Sequence, residues 1–373
     1  MKPTTILIVG TDMMALYNHR LELIKRLILE GFVVVVAAPG SGEEKKLESL
    51  GVKFVNLKLD TRGKNVWNDI KLLRSLLHVI RGIRPHVVLT FYTKTNIYGG
   101  IACRITHTPY IENITGLGSA MINGGVMQKI MRLLYKAAVA DSPNVFFQNK
   151  HNVKFFKDAK IHVRKSRLLP GSGVSLERFV PLEYPADGNL EFCFISRILE
   201  EKGFREYIKA AEIIKKKYPG TIFHIVGPSE ERYIPYLAAA ERRGIIKYHG
   251  KAFNIVPYLQ RTHCTVFPSY YAEGMANVIL ESASCARPVI TTPFPGCAEG
   301  VEDGVTGYLV KAKDVQDLVD KIDKFIKLPY EDKRKMGLNG RVKMENEFDR
   351  KIVVDAYLEE IHRILSSQNG VWK

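Results

Sequence analysis

Short apolar runs alternate with longer amphipathic stretches along nearly the whole chain. Thr5–Val9 reads as a strand ended by Gly10, and Tyr17–Glu30 as a helix stopped by Gly31. Phe32–Ala38 follows as a strand apolar on both faces, as a buried parallel strand is. The alternation predicts further strands at Lys53–Leu57, His86–Phe91, Tyr110–Ile114, Asn144–Gln148 and Arg167–Leu169. Helices fall between them at Trp67–Ile83, Thr95–Ile105, a stretch ending at Ala140, and His151–Asp158. A second series begins at Glu191. Its strands are Phe192–Ile195, Thr221–Val226, Lys247–His249, Thr265–Phe267 and Val289–Ile290. Its helices are Phe204–Lys217, one ending near Arg243, Ile255–Arg261, Ala276–Cys285 and Val315–Ile326, and Arg350–Ser366 makes a last helix. Strand, helix and strand at crossover spacing specify an α/β fold of doubly wound parallel sheets, here two Rossmann-like domains. Residues 170–189 are rich in Pro, Gly and Ser, which places a linker at 173–189 between domains at 1–172 and 190–349.

The 373 residues are enough for two domains with cores of their own, and a composition 46% hydrophobic and 25% charged is that of a globular protein. The formal net charge of +16 is unevenly spread. Residues 1–185 carry 27 Lys/Arg against 13 Asp/Glu, whereas residues 186–373 carry 28 against 26. The first half is therefore expected to meet an anionic partner: a membrane surface, a phosphorylated acceptor or nucleic acid. The five cysteines form no C-x-x-C pair, which disfavours a metal or disulfide framework and suggests a reducing, cytoplasmic setting. The first residues run straight into a strand with no signal-peptide pattern, and no apolar run approaches the ~20 residues of a membrane span.

Candidate chemistry concentrates in residues 268–296, PSYYAEGMANVILESASCARPVITTPFPG. A helix starting just after the Gly274–Asn277 turn points free N–H groups and a positive dipole end at whatever lies before it, a natural phosphate site. Glu273 and Glu281 are eight residues apart, roughly 12 Å at helical rise. That is too far to act on one bond, but it suits the two ends of a long ligand such as a nucleotide sugar. Taken alone the pair reads equally as a loop charge and a solvated helix residue, although Ala283, Ser284 and Ala286 around Glu281 are small for a solvated face. Parallel sheets bind ligands at the carboxyl ends of their strands, and two such halves joined by a linker make a cleft. In the second half those ends collect SRILEEKG from Ser196, VGPSEE with Gly227, YHGK with Gly250, and SYYAEGMAN. Arg197 and Lys202 flank the first loop and can meet charge building on a departing diphosphate. No D-x-D motif is present, so side-chain cations and a helix N-terminus stand in for a metal. In the first half, Gly10 is alone where dinucleotide binders have G-x-G-x-x-G; it either admits a phosphate or is a plain turn glycine.

These motifs resemble the retaining GT-B glycosyltransferases of family 4. Gly296–Glu299, DGVTGYLV from Asp303, and GVSLERFVP from Gly173 fit the same family, with Ser175 where the family usually has Asp. The resemblance implies that Arg197 and Lys202 hold the diphosphate, Glu273 the transferred sugar and Glu281 the ribose. It sets the backbone of Gly274, Met275, Ala276 and Asn277 against sugar and phosphate, and Gly250 and its neighbours against the base. It also implies that the last helix, 350–373, returns to the first domain. The first half is similar to a narrower branch that adds N-acetylgalactosamine to undecaprenyl-diphosphate-linked bacillosamine, through His19–Arg20 to Leu23 and GLGSAMINGG after Thr115. Many family members place a His after the fifth strand; here that loop offers Asn113, Thr115 and Gly116.

The expectation is a retaining, metal-independent transferase using a UDP-sugar, without a cofactor, on a polyprenyl-diphosphate-linked acceptor at the inner membrane face. His19 is either an acceptor-side group or a structural helix residue. Lys129, Arg132 and Lys136 recur at helical spacing, as do Lys71, Arg74, His78 and Arg81, and either stripe is a membrane-facing surface or the solvated back of a core-packed helix. The rival readings are a sugar-nucleotide epimerase or hydrolase of the same fold and a basic nucleic-acid-binding protein. The second is disfavoured because the basic residues are not interleaved with aromatics.

Overall fold

Strands rich in Val, Ile and Leu and buried on both faces require helices on either side of the sheet, and each half of the chain meets that requirement in the same way. The computed structural model describes residues 3–58, 66–117, 125–271 and 273–370. The chain divides into two units, Met1–Ser172 with Arg350–Lys373, and Gly173–Asp349. The first unit begins Thr5–Val9 (β1), Met13–Leu29 (α1), Val33–Ala38 (β2), Glu44–Glu48 (α2), Lys53–Asn56 (β3), Val66–Ile83 (α3) and Val87–Phe91 (β4). It continues Thr93–Ile105 (α4), Tyr110–Ile114 (β5), Gly125–Val139 (α5), Asn144–Phe147 (β6), Lys150–Asp158 (α6) and Ser166–Leu168 (β7). All seven strands are parallel, in the order β3-β2-β1-β4-β5-β6-β7.

The second unit begins Glu191–Ile195 (β8), Phe204–Lys217 (α7), Ile222–Val226 (β9), Ile234–Arg242 (α8), Lys247–Tyr248 (β10) and Val256–Arg261 (α9). Cys264–Phe267 (β11), Asn277–Ser284 (α10), Val289–Thr291 (β12), Gly307–Leu309 (β13), Val315–Ile326 (α11) and Tyr330–Glu347 (α12) complete it. Its parallel sheet runs β10-β9-β8-β11-β12-β13, so the direction of winding switches between β8 and β11. Arg350–Gly370 (α13) belongs to the first unit, as the resemblance implied. Its Val353, Tyr357 and Ile361 join the core made by β1, β2 and α1. The Tyr357 ring lies 4.9 Å from Phe146 and 5.9 Å from Phe91, and its hydroxyl accepts a 2.6 Å hydrogen bond from Asn113 Nδ2.

Three differences from the sequence reading have physical causes. Helix α1 starts at Met13 rather than Tyr17, because the Asp12 carboxylate caps it by accepting from Ala15 N at 2.8 Å; such a cap contributes about 1 kcal/mol. Helix α12 is absent from the sequence reading, since it is polar all round and carries two glycines that look like breakers. Those glycines are contacts: a Cβ at Gly337 would stand 2.2 Å from the Ala286 carbonyl, and one at Gly340 would stand 3.5 Å from Ala283 Cβ. Residues 173–189 are built into the second unit. Val174 N donates to Phe348 O at 2.9 Å, and Tyr184 OH donates to His263 O at 3.0 Å.

Arg287 fastens this segment. Fully buried, it donates to the carbonyls of Leu182 and Glu183 from the segment, of Leu259 and Gln260 from α9, and of Cys285 and Ala286 beside it. Burial pushes its pKa down to about 10, which leaves it charged at neutral pH. Substitution R287M is expected to cost about 3 kcal/mol or more, because buried carbonyls lose their donor. R287K is expected to recover only part of the loss; urea unfolding of both variants is the check.

Three polar side chains lie side by side across β8, β9 and the end of β10. The buried His224 bonds Glu191 through Nε2 at 2.7 Å and His249 through Nδ1 at 2.9 Å. Burial lowers both imidazole pKa values below the usual 6.5, opposed at His224 by Glu191 and reinforced at His249 by His224. Arg261 and Lys247 push both down, and Glu241 pulls His249 up. A histidine depressed on folding contributes stability that is fully present above the unfolded value and lost as pH falls through the folded one. Stability is therefore expected to fall between pH 7 and pH 5, by up to ~1.4 kcal/mol per pH unit for each histidine that binds its proton only in the unfolded chain, and the melting temperature with it. H249Q is expected to flatten that slope in a calorimetric pH series.

Candidate active site

The loop after β8 and the loop after β11 meet at the switch point of the second sheet. Gly203, at φ 78°, ends the first loop and opens α7. A Cβ there would sit 2.3 Å from the carbonyl oxygen of Pro268, so only glycine lets the loops close on each other. The Glu201 carbonyl then accepts from Tyr270 N at 2.9 Å and from Ser269 Oγ at 3.2 Å. This stitching brings Lys202 onto Glu273, and the two form an ion pair.

Lys202 is only 7% exposed, and its ammonium also lies 4.8 Å from the centre of the Tyr271 ring and 5.7 Å from that of Phe267. Burial lowers its pKa to about 8, with the like charge of Arg197 adding to the effect. The Glu273 carboxylate, in contact, works in the opposite direction. Arg197 itself is exposed and has no hydrogen bond or ion pair among the described residues.

Glu273 is held by its backbone. Its N–H donates to Pro295 O at 3.1 Å, and Ala276 N donates to Gly296 O at 2.7 Å. Gly296 has φ 80°, and a Cβ on it would lie 2.7 Å from the Glu273 backbone. The Glu299 carboxylate accepts from Gly296 N at 2.8 Å and fixes that turn. Sequence reasoning connected Gly296 and Glu299 to the site only through family resemblance; their part is to seat the Glu273 loop. Helix α10 begins at Asn277 with Ala276 before it, which supplies no side-chain acceptor for the first N–H groups. Met275 and Ala276 turn their side chains into the core, so only their backbone is available to a ligand. Glu281 is half-buried on α10, and the small residues after it are accounted for by the close approach of α12.

Ser196, Gly227 and Gly250 come together on the other side of the β8 loop. Gly227 N donates to Gly250 O at 2.7 Å, and a Cβ at Gly227 (φ 145°) would stand 1.8 Å from Ser196 O. Gly10 belongs to the first unit, where a Cβ would collide with Leu16 at 2.6 Å, so its lack of a side chain seats α1. His19 is half-buried on α1, and the neighbouring Arg20 is buried with its guanidinium 4.3 Å from the centre of the Phe91 ring. Asn113 is taken up by Tyr357 in the core. In the glycine-rich loop, residues 118–124 lie outside the described residues.

The two basic stripes differ. On α3, Leu72, Leu76 and Ile80 are buried while Lys71, Arg74, His78 and Arg81 face solvent, as a core-packed helix with a solvated back requires. On α5, Tyr135, Ala138 and Val139 are buried, but Val126 (73% exposed), Met127, Ile130 and Leu133 (66%) are not. Lys129 and Lys136 are exposed with them. Arg132 leaves the stripe, because its guanidinium donates to Ala159 O at 2.8 Å.

Residues 6–149 match the family "Glycosyl transferase 4-like", and residues 183–343 match "Glycosyl transferases group 1". The chain is 25% identical, over 95% of its length and 97% of the relative's, to the Campylobacter jejuni N,N'-diacetylbacillosaminyl-diphospho-undecaprenol alpha-1,3-N-acetylgalactosaminyltransferase. It is 24% identical to the Escherichia coli UDP-Gal:alpha-D-GlcNAc-diphosphoundecaprenol alpha-1,3-galactosyltransferase, over 75% of this chain and 77% of that one. Among solved structures, Anabaena HepE in complex with UDP and glucose superposes with a TM-score of 0.77, covering 96% of this chain and 99% of that one; at 16% identity this is a likeness of fold. Two parallel Rossmann-like sheets, each in a unit that matches a glycosyltransferase domain family, make the chain a GT-B glycosyltransferase of family 4.

Proposed function

We propose that this glycosyltransferase is retaining and metal-independent, and that it moves a hexose or N-acetylhexosamine from a UDP-sugar to a sugar carried on a polyprenyl diphosphate in bacterial glycan assembly. The observation that carries the reading is the pairing of Lys202 with Glu273 at the switch point, with Arg197 beside them and without a hydrogen bond or ion pair among the described residues. Arg197, Lys202 and the start of α10 take the diphosphate of the donor, Glu273 takes hydroxyls of the sugar, and Glu281 takes the ribose. The Gly227 and Gly250 turns lie along the nucleotide.

The bond from the anomeric carbon to the leaving phosphate oxygen breaks as the acceptor oxygen bonds to that carbon on the same face. The acceptor proton passes to the departing phosphate oxygen. Negative charge grows on that oxygen during the step, so cations placed beside it stabilise the transition state more than the bound donor. R197A and K202A are each expected to lower kcat ~100-fold or more while changing donor affinity far less. Near-normal turnover in both would overturn the cation assignment. Consumption of UDP-sugar with no acceptor present would instead indicate an epimerase or hydrolase.

The acceptor reading is supported by the two relatives named above and by α5, whose exposed apolar residues stand among Lys129 and Lys136 on the basic unit. A helix of that kind is suited to an anionic lipid interface, which supports the reading of a peripheral enzyme at the inner membrane face. No helix among the described residues is long and apolar enough to cross the membrane. Replacing Leu133 by Glu is expected to weaken binding to phosphatidylglycerol vesicles about tenfold or more. Unchanged flotation with those vesicles would remove α5 as the contact, and retention on duplex DNA at physiological salt would revive a nucleic-acid partner.

A further inference from the structure

Lys202 poses a physical problem that its ion pair does not resolve. Its ammonium is nearly out of water, and Glu273, the carboxylate it touches, is also the group needed for the sugar. A second carboxylate would keep the lysine charged but would repel the diphosphate. An aromatic face attracts a cation through its quadrupole and brings no net charge. Tyr271 supplies such a ring, and its backbone is anchored beside Lys202: its N–H donates to Ser269 Oγ at 3.2 Å, and Ser269 Oγ donates to the Glu201 carbonyl.

We propose that Tyr271 is a positioning residue whose ring keeps the Lys202 ammonium charged and in place for the donor's diphosphate, leaving Glu273 able to turn to the sugar. This rests on the reading of Lys202 as a diphosphate ligand. The groups facing the ammonium are Glu273, Arg197, Glu201, the Cys297 thiol and the rings of Tyr271 and Phe267. Arg197 lowers the pKa, whereas Glu201 and Cys297 raise it. Phe267 is a core residue on β11, and Tyr271 is a partly exposed loop residue that can be changed without opening the core.

The test follows the 13Cε resonance of Lys202 in lysine-labelled full-length enzyme from pH 6 to pH 11, assigned by its absence in K202M. The wild-type midpoint is expected near 8. Y271F keeps the ring and is expected to leave the midpoint in place, whereas Y271L is expected to lower it by about half a unit to one unit. In titrations with UDP at pH 8.5, Y271L is expected to bind about three- to tenfold more weakly than wild type, and Y271F equally well. A Y271L midpoint at the wild-type value overturns the proposal. UDP affinity in K202M equal to that of wild type would overturn the diphosphate reading instead, and the NMR midpoints separate the two failures.

Discussion

A lysine ammonium held almost out of water has to be matched by the protein around it, and in the second unit the match is made by two loops far apart in sequence. Lys202 comes from the loop after β8, and Glu273 with the Tyr271 ring comes from the loop after β11. The loops close because Gly203 has no side chain to strike Pro268. A methyl group there would separate cation from carboxylate, and the remaining features of the site would lose their common centre. The charge geometry is therefore a consequence of backbone approach.

The same device recurs around it. Gly227 lets β9 pass beside the Ser196 carbonyl, and Gly296 lets the turn after β12 support Glu273 from behind. Gly337 does the equivalent for helix packing, which brings α12 down on the residues that follow α10. Arg287 then holds the segment leading into the unit by its carbonyls, so the sheet whose strand ends carry the loops is braced from both sides. Loops braced in this way keep the Lys202–Glu273 pair in one geometry.

Much of the fold was legible in the chain because strands buried on both faces leave an unmistakable apolar run between turn residues. What escaped was structure whose signal is tertiary. Helix α12 is polar with two glycines, and only the Ala286 carbonyl packed against it explains why Gly337 is glycine. The capping role of Asp12 was hidden in a turn read for its glycine. For the site, the spacing of Glu273 and Glu281 and the cations after the first strand of the second half singled out two loops that the fold brings into contact. The ion pair itself, the Tyr271 ring and the support from Gly296 and Glu299 depend on contacts between segments tens of residues apart, which no local pattern encodes. Arg132 shows the reverse: its spacing matched a surface stripe, yet its guanidinium is committed to a backbone carbonyl.

Helix α13 completes the core of the first unit although it follows the whole of the second in sequence. During synthesis the ribosome therefore releases some 170 residues of that unit, then the whole of the other, before Tyr357 can fill the space between Phe91 and Phe146. The second unit is contiguous and can fold as soon as it emerges. The amino-terminal unit must wait with an apolar groove open, a natural target for chaperones that shelter exposed hydrophobic surface on nascent chains.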